Sequence, residues 1–329
     1  MKVLFIGGTG VISSACADLA VQRGIDLYLL NRGQTERPAA DGASIILGDI
    51  YDPAIGETLA GHSWDAVVDW IAFKPEAVQR DIDLFRGRTG QYIFISSASV
   101  YQTPPSNLPV KESTLLDNPY WAYSRDKIAC EELLVRAYRD EQFPMTIIRP
   151  SHTYDATKIP LLGGYTTLRR MIEGEKVVVF GDGTSLWTLT HNKDFAKGFV
   201  PLLGNARAAG EAFHITSDEW LNWNQIYELF GQALGVKPRL VHVPSELIAA
   251  YDKEIGAGLL GDKSNSMIFD NSKIKRLAPD FACTIPFSWG AREIVEWFAA
   301  DPARQIVDDE LNALFEQIII AYESAFPGG

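Results

Sequence analysis

Lys2-Val-Leu-Phe-Ile-Gly-Gly-Thr-Gly10 begins the chain, and Val11 to Arg23 follows it with the spacing of an amphipathic helix. The apolar run 2–6 is typical of a buried parallel strand, and Gly24 is suited to end the helix. A strand, a tight glycine turn and a helix make a cradle for phosphate, because the helix N-terminus presents free N–H groups and a positive dipole end. Ser13 takes the place of the third glycine of the usual dinucleotide fingerprint. The stretch predicts a nucleotide-binding βα unit, with a plain turn as the alternative.

Strands and helices continue to alternate beyond this unit. A second strand-like run, Asp26-Leu-Tyr-Leu-Leu30, arrives at the spacing of a βαβ unit and disfavours the plain turn. Further apolar runs, separated by helical patterns, lie at 45–47, 66–68, 93–95 and 146–148. This order predicts an open parallel α/β sheet whose carboxyl-end edge binds ligands. After Tyr154 the pattern becomes irregular, with short strands at 177–180, 213–216 and 240–243 and helices near 222–234 and 288–299.

A Tyr-x-x-x-Lys motif, Tyr123-Ser-Arg-Asp-Lys127, lies on one of the helical patterns. Residues four apart share one face of a helix, so the phenol and the ammonium can address a common point. A phenol has a pKa near ~10, and a nearby cation favours the phenolate, so such a tyrosine can move a proton on or off an alcohol. Ser97 ends the strand-like run Tyr92-Ile-Phe-Ile-Ser-Ser97 and can hydrogen-bond the same substrate oxygen.

The composition indicates a cytoplasmic enzyme. The net charge of −12 opposes binding to a phosphate backbone, so we expect no nucleic-acid partner. No apolar run approaches the ~20 residues of a membrane span, and no signal peptide is evident, so we expect no membrane association. The three cysteines, Cys16, Cys130 and Cys283, suggest neither a disulfide framework nor a metal site.

Several separate motifs together resemble one known family. They are Gly7-x-x-Gly10, Gly48-Asp-Ile50, Ser96-Ser-Ala-Ser-Val-Tyr101, Tyr123 with Lys127, Ile148-Arg-Pro150, Phe180-Gly-Asp-Gly183 and His191-Asn-Lys-Asp194. This set resembles the extended short-chain dehydrogenase/reductase family, of the NAD-dependent epimerase/dehydratase type. Asp69-Trp-Ile-Ala72 and Met267-Ile-Phe-Asp270 are most similar to an atypical branch that includes the chloroplast stem-loop RNA-binding proteins. The motifs are specific for the family and leave the substrate open.

The resemblance implies an α/β fold, a Rossmann-type doubly wound parallel sheet with a smaller mixed α/β substrate lobe. The NAD(P)-binding domain is expected over residues 1–155, with returns to its sheet near 187–217. Residues 156–329 are expected to form mainly the substrate-binding lobe and the C-terminal helices. The segment 303–326 has apolar residues at helical spacing, which predicts a helix that caps its own domain or contacts a partner, and a homodimer is one expectation.

The resemblance also implies a role for each motif residue. Tyr123 is the acid/base, Lys127 lowers its pKa and holds the nicotinamide ribose, and Ser97 polarises the substrate oxygen. The residues expected to bind the cofactor are Gly7, Thr9, Gly10, Val11, Ile12, Asn31, Arg32, Asp49, Ile50, Ile71, Ala72, Lys74, Tyr123, Lys127 and Pro150.

The choice between NAD and NADP depends on the end of the second strand. An Asp or Glu there binds the ribose hydroxyls of NAD, whereas this chain has Asn31-Arg32. An amide and a guanidinium tolerate a 2′-phosphate, so the sequence predicts NAD(P) binding with a preference for NADP. The alternative is that Arg32 is a solvated loop residue and NAD is used. Lys74 either reaches the cofactor or is a surface lysine.

Departures from the family pattern bear on the substrate. Nucleotide-sugar members hold the substrate diphosphate with an asparagine and an arginine, where this chain has His152 and Trp187. The 4,6-dehydratases have an acidic pair where this chain has Ala98-Ser99. Ser99, His152 and Trp187 are the candidate substrate residues, and His152 can bind an anion when protonated. Arg169 or Arg170 is the alternative source of positive charge.

These observations favour an NAD(P)-dependent oxidoreductase or epimerase that acts on a secondary alcohol or ketone of a small or sugar-like substrate. One alternative is a sugar-nucleotide epimerase. The other is a non-catalytic RNA-binding or cofactor-sensing protein on the same fold. The complete Ser97, Tyr123 and Lys127 set and the acidic composition favour the enzyme.

Overall fold

The computed structural model describes residues 1–327 of the chain. Its strands, in chain order, are β1 (Lys2–Ile6), β2 (Asp26–Asn31), β3 (Ser44–Leu47), β4 (Ala66–Asp69), β5 (Tyr92–Ile95), β6 (Met145–Pro150), β7 (His152–Tyr154), β8 (Lys176–Phe180), β9 (Leu186–Trp187), β10 (Leu189–His191), β11 (Ala212–Ile215), β12 (Leu221–Asn222) and β13 (Arg239–Val243).

The α-helices alternate with these strands in the first half and predominate in the second. They are α1 (Val11–Gln22), α2 (Ile55–Leu59), α3 (Pro75–Phe85), α4 (Ala122–Glu141), α5 (Tyr165–Ile172), α6 (Asn192–Phe199), α7 (Trp223–Leu234), α8 (Ser245–Tyr251), α9 (Lys253–Gly258), α10 (Ser272–Leu277), α11 (Phe287–Ala299) and α12 (Asp309–Ser324). A π-helical turn, Leu259–Lys263, follows α9.

The central layer is a seven-stranded parallel sheet in the order β11-β6-β5-β4-β1-β2-β3. Helices α1 and α6 pack together on one face, and α3 and α4 pack together on the other. The central strands β4, β5 and β6 are buried along their whole length, which explains their apolar and β-branched composition. The predicted Rossmann-type doubly wound sheet is therefore confirmed, and its strand order reverses between β1 and β4, where ligands bind at the carboxyl ends in such sheets.

Helix α1 illustrates how the sequence fixes this architecture. Gly10 precedes its first turn, and Gly24, with φ of 75°, lies just beyond its end at Arg23. The buried side of α1 is made of small residues, which allows close packing against the sheet and α6. The helix thus begins at the glycine turn, as the sequence predicts.

The second half of the chain contributes to both lobes. Within 187–217, β11 joins the main sheet beside β6, whereas β9 pairs with β12 and β10 pairs with β7. Strands β8 and β13 form a separate parallel pair. Helix α12 packs on α5, α8, β8 and β13, and buries Phe315, Ile318 and Ile319. The C-terminal helix therefore caps its own lobe, as one of the two readings predicted.

Three further features bear on the chemistry. In the part of the chain that the structure describes, no helix combines the length and the apolar character needed to cross a bilayer. Within residues 1–327, no group of three or more His, Cys, Asp or Glu side chains is arranged to hold a metal ion. Cys16, Cys130 and Cys283 are free thiols, and the first two are buried.

Candidate active site

A cavity of about 620 Å³ lies at the carboxyl-end edge of the sheet, between the glycine turn after β1 and the start of α4. Gly7 has φ of 82°, and a Cβ atom on it would lie 2.6 Å from Cγ2 of Ile71. Only glycine therefore lets the backbone turn here. The Gly10 N–H donates to Ser13 Oγ over 2.8 Å, and no side chain caps the following N–H groups within residues 1–327, so the first turn of α1 can bind an anionic group.

Most of the predicted cofactor residues line this cavity. They are Gly7, Thr9, Gly10, Val11, Ile12, Asn31, Arg32, Asp49, Ile50, Ile71, Tyr123, Lys127 and Pro150. Two predicted residues do not line it. Ala72 is buried, and its carbonyl accepts a hydrogen bond from Lys127, whereas Lys74 is an exposed residue just before α3.

The sequence reasoning did not identify several residues of the cavity wall, among them Tyr51, Phe73 and Ser96. Ser96 Oγ is buried and has no hydrogen-bond partner among residues 1–327. Buried hydroxyls are normally hydrogen-bonded, so this orphan and the glycine cradle together fit a bound dinucleotide. Ser96 could have been inferred from its place in the serine segment, but Tyr51 and Phe73 belong to no motif.

Asn31, Arg32 and Asp49 line the end of the cavity next to β2. Asn31 Oδ1 accepts a hydrogen bond from the Gly8 N–H over 3.2 Å, which ties β2 to the glycine turn. Arg32 Nη1 lies 3.9 Å from Asp49 Oδ2, and the Arg32 side chain is 61% exposed. An exposed guanidinium therefore stands where an NAD-specific protein has a carboxylate.

Lys127 is held at the inner end of the cavity by two backbone carbonyls. Its Nζ donates to the oxygens of Ala72 and Ile95, each over 2.7 Å, and lies 4.6 Å from the centre of the Phe73 ring. An ammonium has three donors, so one remains for a ligand in the cavity. Burial lowers the pKa of Lys127 to about 8.

The turn that receives Lys127 is fixed by a buried ionic network. Asp69 Oδ1 accepts from the N–H groups of Ile71 and Ala72, over 2.6 and 2.8 Å. Arg80 bridges Asp69 Oδ2 and Asp81 Oδ1 at 3.2 and 2.6 Å. Burial and the neighbouring Asp69 raise the pKa of Asp81. This network makes the Asp69-Trp-Ile-Ala72 segment a rigid support under the cofactor cavity.

Tyr123 lies in the first turn of α4 and lines both this cavity and a second one. Burial raises the pKa of Tyr123, and the nearby Ser97 hydroxyl opposes the shift only in part. The structure thus contradicts the expectation that Lys127 lowers this pKa. The reason is that the phenol is desolvated, while the ammonium is bound to two carbonyls and lies 5.9 Å from the Tyr123 ring centre.

The serine segment forms a short relay beside Tyr123. Ser97 Oγ accepts the Ser99 N–H over 3.2 Å and lies 2.9 Å from Ser99 Oγ. Ser124 of α4 donates to Ser99 Oγ over 2.8 Å. When Ser99 in turn donates to Ser97, the Ser97 proton is free for a ligand. Ser99 is buried, so its contacts orient Ser97.

Asn118 joins the serine segment, the start of α4 and the π-helical turn. Its Nδ2 donates to the carbonyls of Ser99 and Gly261, over 2.9 and 2.6 Å. Its Oδ1 accepts from the N–H groups of Tyr120 and Trp121, over 3.2 and 3.1 Å. All hydrogen-bonding capacity of this buried amide is used, so it ties the π-helical turn and the serine segment to the residues just before α4.

The second cavity measures about 350 Å³ and adjoins the first at Tyr123. Ser97, Ser99, His152 and Trp187, all predicted, line it together with the unpredicted Trp121, Lys158, Asp262 and Lys263. Asp262 and Lys263 lie in the π-helical turn, and Lys263 Nζ is 3.3 Å from Asp262 Oδ2. No sequence motif marks these residues, because the tertiary fold alone brings the turn to Tyr123.

His152 and Trp187 form a pair within this cavity wall. The indole N–H of Trp187 donates to His152 Nδ1 over 3.3 Å. Burial, helped by Lys263 and Lys158, lowers the pKa of His152 to about 3. The expectation that a protonated His152 binds an anion is therefore wrong, because its surroundings keep the ring neutral at physiological pH.

The alternative cations, Arg169 and Arg170, lie away from the cavity. Arg170 is buried and bonds to Asn312 Oδ1 and Glu316 Oε2, over 2.6 and 2.7 Å, which joins α5 to α12. Arg169 pairs with Glu173 at the surface. Among residues 1–327, no arginine lines the second cavity, and its cations are Lys158 and Lys263.

Comparison with known proteins gives the family. The model of the NAD dependent epimerase/dehydratase family matches residues 3–216. The 2′-dehydrokanamycin reductase of Streptomyces kanamyceticus is 26% identical over 286 residues, 85% of this chain and 80% of that protein. The chloroplast stem-loop binding protein of 41 kDa b of Arabidopsis thaliana is 27% identical over 256 residues, 73% of this chain and 65% of that protein.

Solved structures share the fold. The epimerase Mth375 of Methanothermobacter thermautotrophicus has a TM-score of 0.75 at 15% identity, covering 92% of this chain and 94% of that one. The UDP-glucuronic acid 4-epimerase of Bacillus cereus, solved with UDP-glucuronic acid and NAD, has a TM-score of 0.73 at 19% identity, covering 91% and 99%. Because the family model matches residues 3–216, more than half of the chain, this chain is an enzyme of the NAD-dependent epimerase/dehydratase family.

Proposed function

We propose that the chain is an NAD(P)-dependent oxidoreductase or epimerase that acts on a secondary alcohol or ketone of a small or sugar-like substrate. The observation that carries this proposal is the position of Tyr123, which lines both the cofactor cavity and the second cavity. Ser97 lies beside it in the second cavity, and Lys127 lies beside it in the first. A carbonyl oxygen between Ser97 and Tyr123 thus has a hydrogen-bond donor and a proton source.

Each side chain has a distinct role in this proposal. The bound nicotinamide supplies or accepts the hydride, and the protein handles the proton. Tyr123 donates its proton to the oxygen as a ketone is reduced, or removes the proton as an alcohol is oxidised. Its raised pKa keeps it protonated at neutral pH and so favours reduction. Ser97 polarises the oxygen, and the remaining Lys127 donor binds the ribose of the nicotinamide.

The second cavity supports a substrate smaller than a nucleotide sugar. Its volume of about 350 Å³ lies near the lower end of the roughly 300–1,000 Å³ typical of small-molecule sites. Its wall contains no arginine in the described residues, and His152 is neutral, so a diphosphate would lack its usual partners. A relative named as a 2′-dehydrokanamycin reductase supports carbonyl reduction on a sugar-like ring.

A sugar-nucleotide epimerase is the second candidate. Lys158 and Lys263 are two cations at the cavity, and relatives named as UDP-glucose 4-epimerases are 23–27% identical. A non-catalytic RNA-binding role has the stem-loop binding relative in its favour. The net charge of −12 opposes that role, because nucleic-acid affinity depends on neutralising phosphates.

The proposal extends to the cofactor, for which we favour NADP over NAD. Arg32 is exposed beside the carboxyl end of β2, and Thr9 and Thr35, whose hydroxyl oxygens are 3.0 Å apart, line the same cavity. A guanidinium and two hydroxyls are suitable partners for a 2′-phosphate. Asp49, which lies near Arg32, is the feature that favours NAD.

A ligand panel with cofactor present tests the function. We expect keto-sugars and cyclic hydroxy ketones to raise the melting temperature and to be reduced with oxidation of NADPH, followed by absorbance. A ligand at a hundred times its Kd stabilises by about 2.7 kcal/mol, which is readily measured. Stabilisation by UDP-, GDP- or dTDP-sugars alone would instead support the sugar-nucleotide epimerase. Steeply salt-dependent RNA binding without turnover would support the non-catalytic role.

A further inference from the structure

The hydrogen bond between Trp187 and His152 determines which nitrogen of the imidazole carries the proton. An indole N–H is a donor only, so the Nδ1 that receives it must hold a lone pair. A neutral imidazole has one protonated nitrogen, which in this ring is then Nε2. No hydrogen bond within residues 1–327 uses His152 Nε2, and the ring lines the second cavity. The ring thus has one free donor and no free acceptor.

Trp187 is itself held in place. It is buried in β9, pairs with Leu221 of β12 and packs against Trp223 with ring centres 5.5 Å apart. An indole enclosed in this way cannot turn to another acceptor without unpacking the lobe. The position of its N–H is therefore a fixed property of the fold, and it selects the His152 tautomer.

A protonated imidazole does not fit this arrangement. Both of its nitrogens would be donors, and the Trp187 N–H would face another N–H. The charged groups of the cavity wall are Lys158, Asp262 and Lys263, with the phenol of Tyr123 also facing the cavity. The two ammonium groups disfavour a third cation, and Asp262 is already paired with Lys263.

We infer that His152 Nε2–H binds an uncharged oxygen of the substrate, a hydroxyl or a carbonyl, and that Trp187 is the positioning residue that aims this donor. The inference rests on the proposed function, because Tyr123 and Ser97 take the reacting oxygen. His152 therefore recognises a second oxygen on the same molecule. The substrate class is a ketone, or its alcohol, that carries a further hydroxyl or carbonyl group, as a polyhydroxylated ring does.

Kinetics on matched ligands test this inference. The probes are a methyl keto-hexopyranoside and its monodeoxy analogues, with NADPH. In the wild-type protein, loss of one particular hydroxyl should lower kcat/KM at least tenfold, mostly through KM. In His152→Phe that analogue and the parent should be reduced equally well, whereas His152→Asn, which keeps an N–H donor, should restore most of the discrimination.

Nuclear magnetic resonance of ¹⁵N-labelled histidine gives a readout that does not depend on turnover. His152, assigned by its loss in His152→Asn, should show the Nε2–H tautomer from pH 8 to pH 5. Trp187→Phe should remove this tautomer bias. Trp289→Phe, the same change at an exposed indole of α11, should keep it.

These experiments test the role of His152 and the proposed function separately. Either of two results overturns the inference while the proposed function stands. One is a His152 ring that is protonated or carries its proton on Nδ1. The other is equal discrimination among the analogues by the wild-type protein and His152→Phe. Absence of NADPH oxidation by the wild-type protein with every probe counts against the proposed function. The tautomer measurement then tests separately whether Trp187 directs the His152 Nε2–H into the cavity.

Discussion

Asp69 and Lys127 are linked through a single residue, Ala72. The Asp69 carboxylate accepts the Ala72 N–H over 2.8 Å, and the Lys127 ammonium donates to the Ala72 carbonyl over 2.7 Å. The Asp69 carboxylate thereby fixes the turn at Ala72, and the carbonyl of this turn positions Lys127. The position of Lys127 in the cofactor cavity therefore depends on the end of β4, which is separated from α4 along the chain by α3 and β5.

The first prediction concerns proton transfer. Tyr123→Phe should lower turnover at least ~100-fold, because it removes the proton donor that lines both cavities. Cofactor affinity, measured by fluorescence titration of the reduced cofactor, should change little. Tyr120→Phe, an exposed tyrosine before α4, is the matched control and should keep its turnover. Near-normal turnover in Tyr123→Phe would exclude the mechanism.

The second prediction concerns the Asp69–Ala72–Lys127 connection. Lys127→Met should weaken cofactor binding about tenfold and also lower turnover, because it removes a charged donor to the ribose. Asp69→Asn should weaken cofactor binding several-fold, while Asp83→Asn on the exposed face of α3 should not. The fluorescence titration is repeated below the melting temperature of each variant. Unchanged affinity in Asp69→Asn would show that the turn holds without its carboxylate.

The third prediction concerns the cofactor. Arg32 is the exposed cation at the end of β2, so the wild-type protein should bind NADPH more tightly than NADH. Arg32→Asp should reverse this preference by supplying a carboxylate for the ribose hydroxyls. Lys74→Ala is a control that should leave both affinities unchanged, since Lys74 does not line the cavity. A clear preference of the wild-type protein for NADH would contradict the assignment.

The fourth prediction separates two neighbouring arginines. Arg170→Met should reduce the free energy of unfolding by about 2 kcal/mol, because it removes a buried cation that joins α5 to α12. Arg169→Met should leave stability unchanged, since its ion pair is at the surface. Neither change should alter the KM for the substrate. A raised KM in Arg169→Met would indicate that this arginine contributes to substrate binding.

The fifth prediction concerns acid stability. His152 has a pKa of about 3 in the folded protein, below the ~6.5 of an unfolded chain. As the pH falls through 6.5, the unfolded state gains a proton that the folded state does not, so stability decreases. Between pH 7.5 and 5.5, urea unfolding should show a loss about 1 kcal/mol larger in the wild-type protein than in His152→Asn. Parallel pH profiles of the two proteins would contradict this.

The sequence predicts the fold well because local and global signals agree. The glycine turn, Gly24 and the apolar runs correspond to β1, α1 and the central strands, and the family and the α/β class are confirmed. The last helix is shorter than the predicted segment 303–326. Asp308 accepts the Leu311 N–H and so begins α12, which leaves 303–308 outside it.

The site was less predictable where tertiary structure decides it. The pKa of Tyr123 depends on burial and on the carbonyls that hold Lys127, and no spacing along one helix reveals either. Asp262 and Lys263 reach Tyr123 only through the π-helical turn, which no motif marks. His152 lines the second cavity, but burial and then Lys263 and Lys158 lower its pKa, and the sequence does not reveal these surroundings.

Strand β11 has a consequence for how the protein is made. A nascent chain that ends near residue 155 already contains β6, whose six residues are all buried in the finished protein, but its outer edge is bare. Unpaired apolar edges promote aggregation. We expect a fragment of residues 1–155 to be insoluble, and a fragment that extends past Ile215 to recover solubility. During synthesis, residues 212–215 must therefore leave the ribosome before they can pair with β6. Until then, the exposed edge of β6 can associate with other chains.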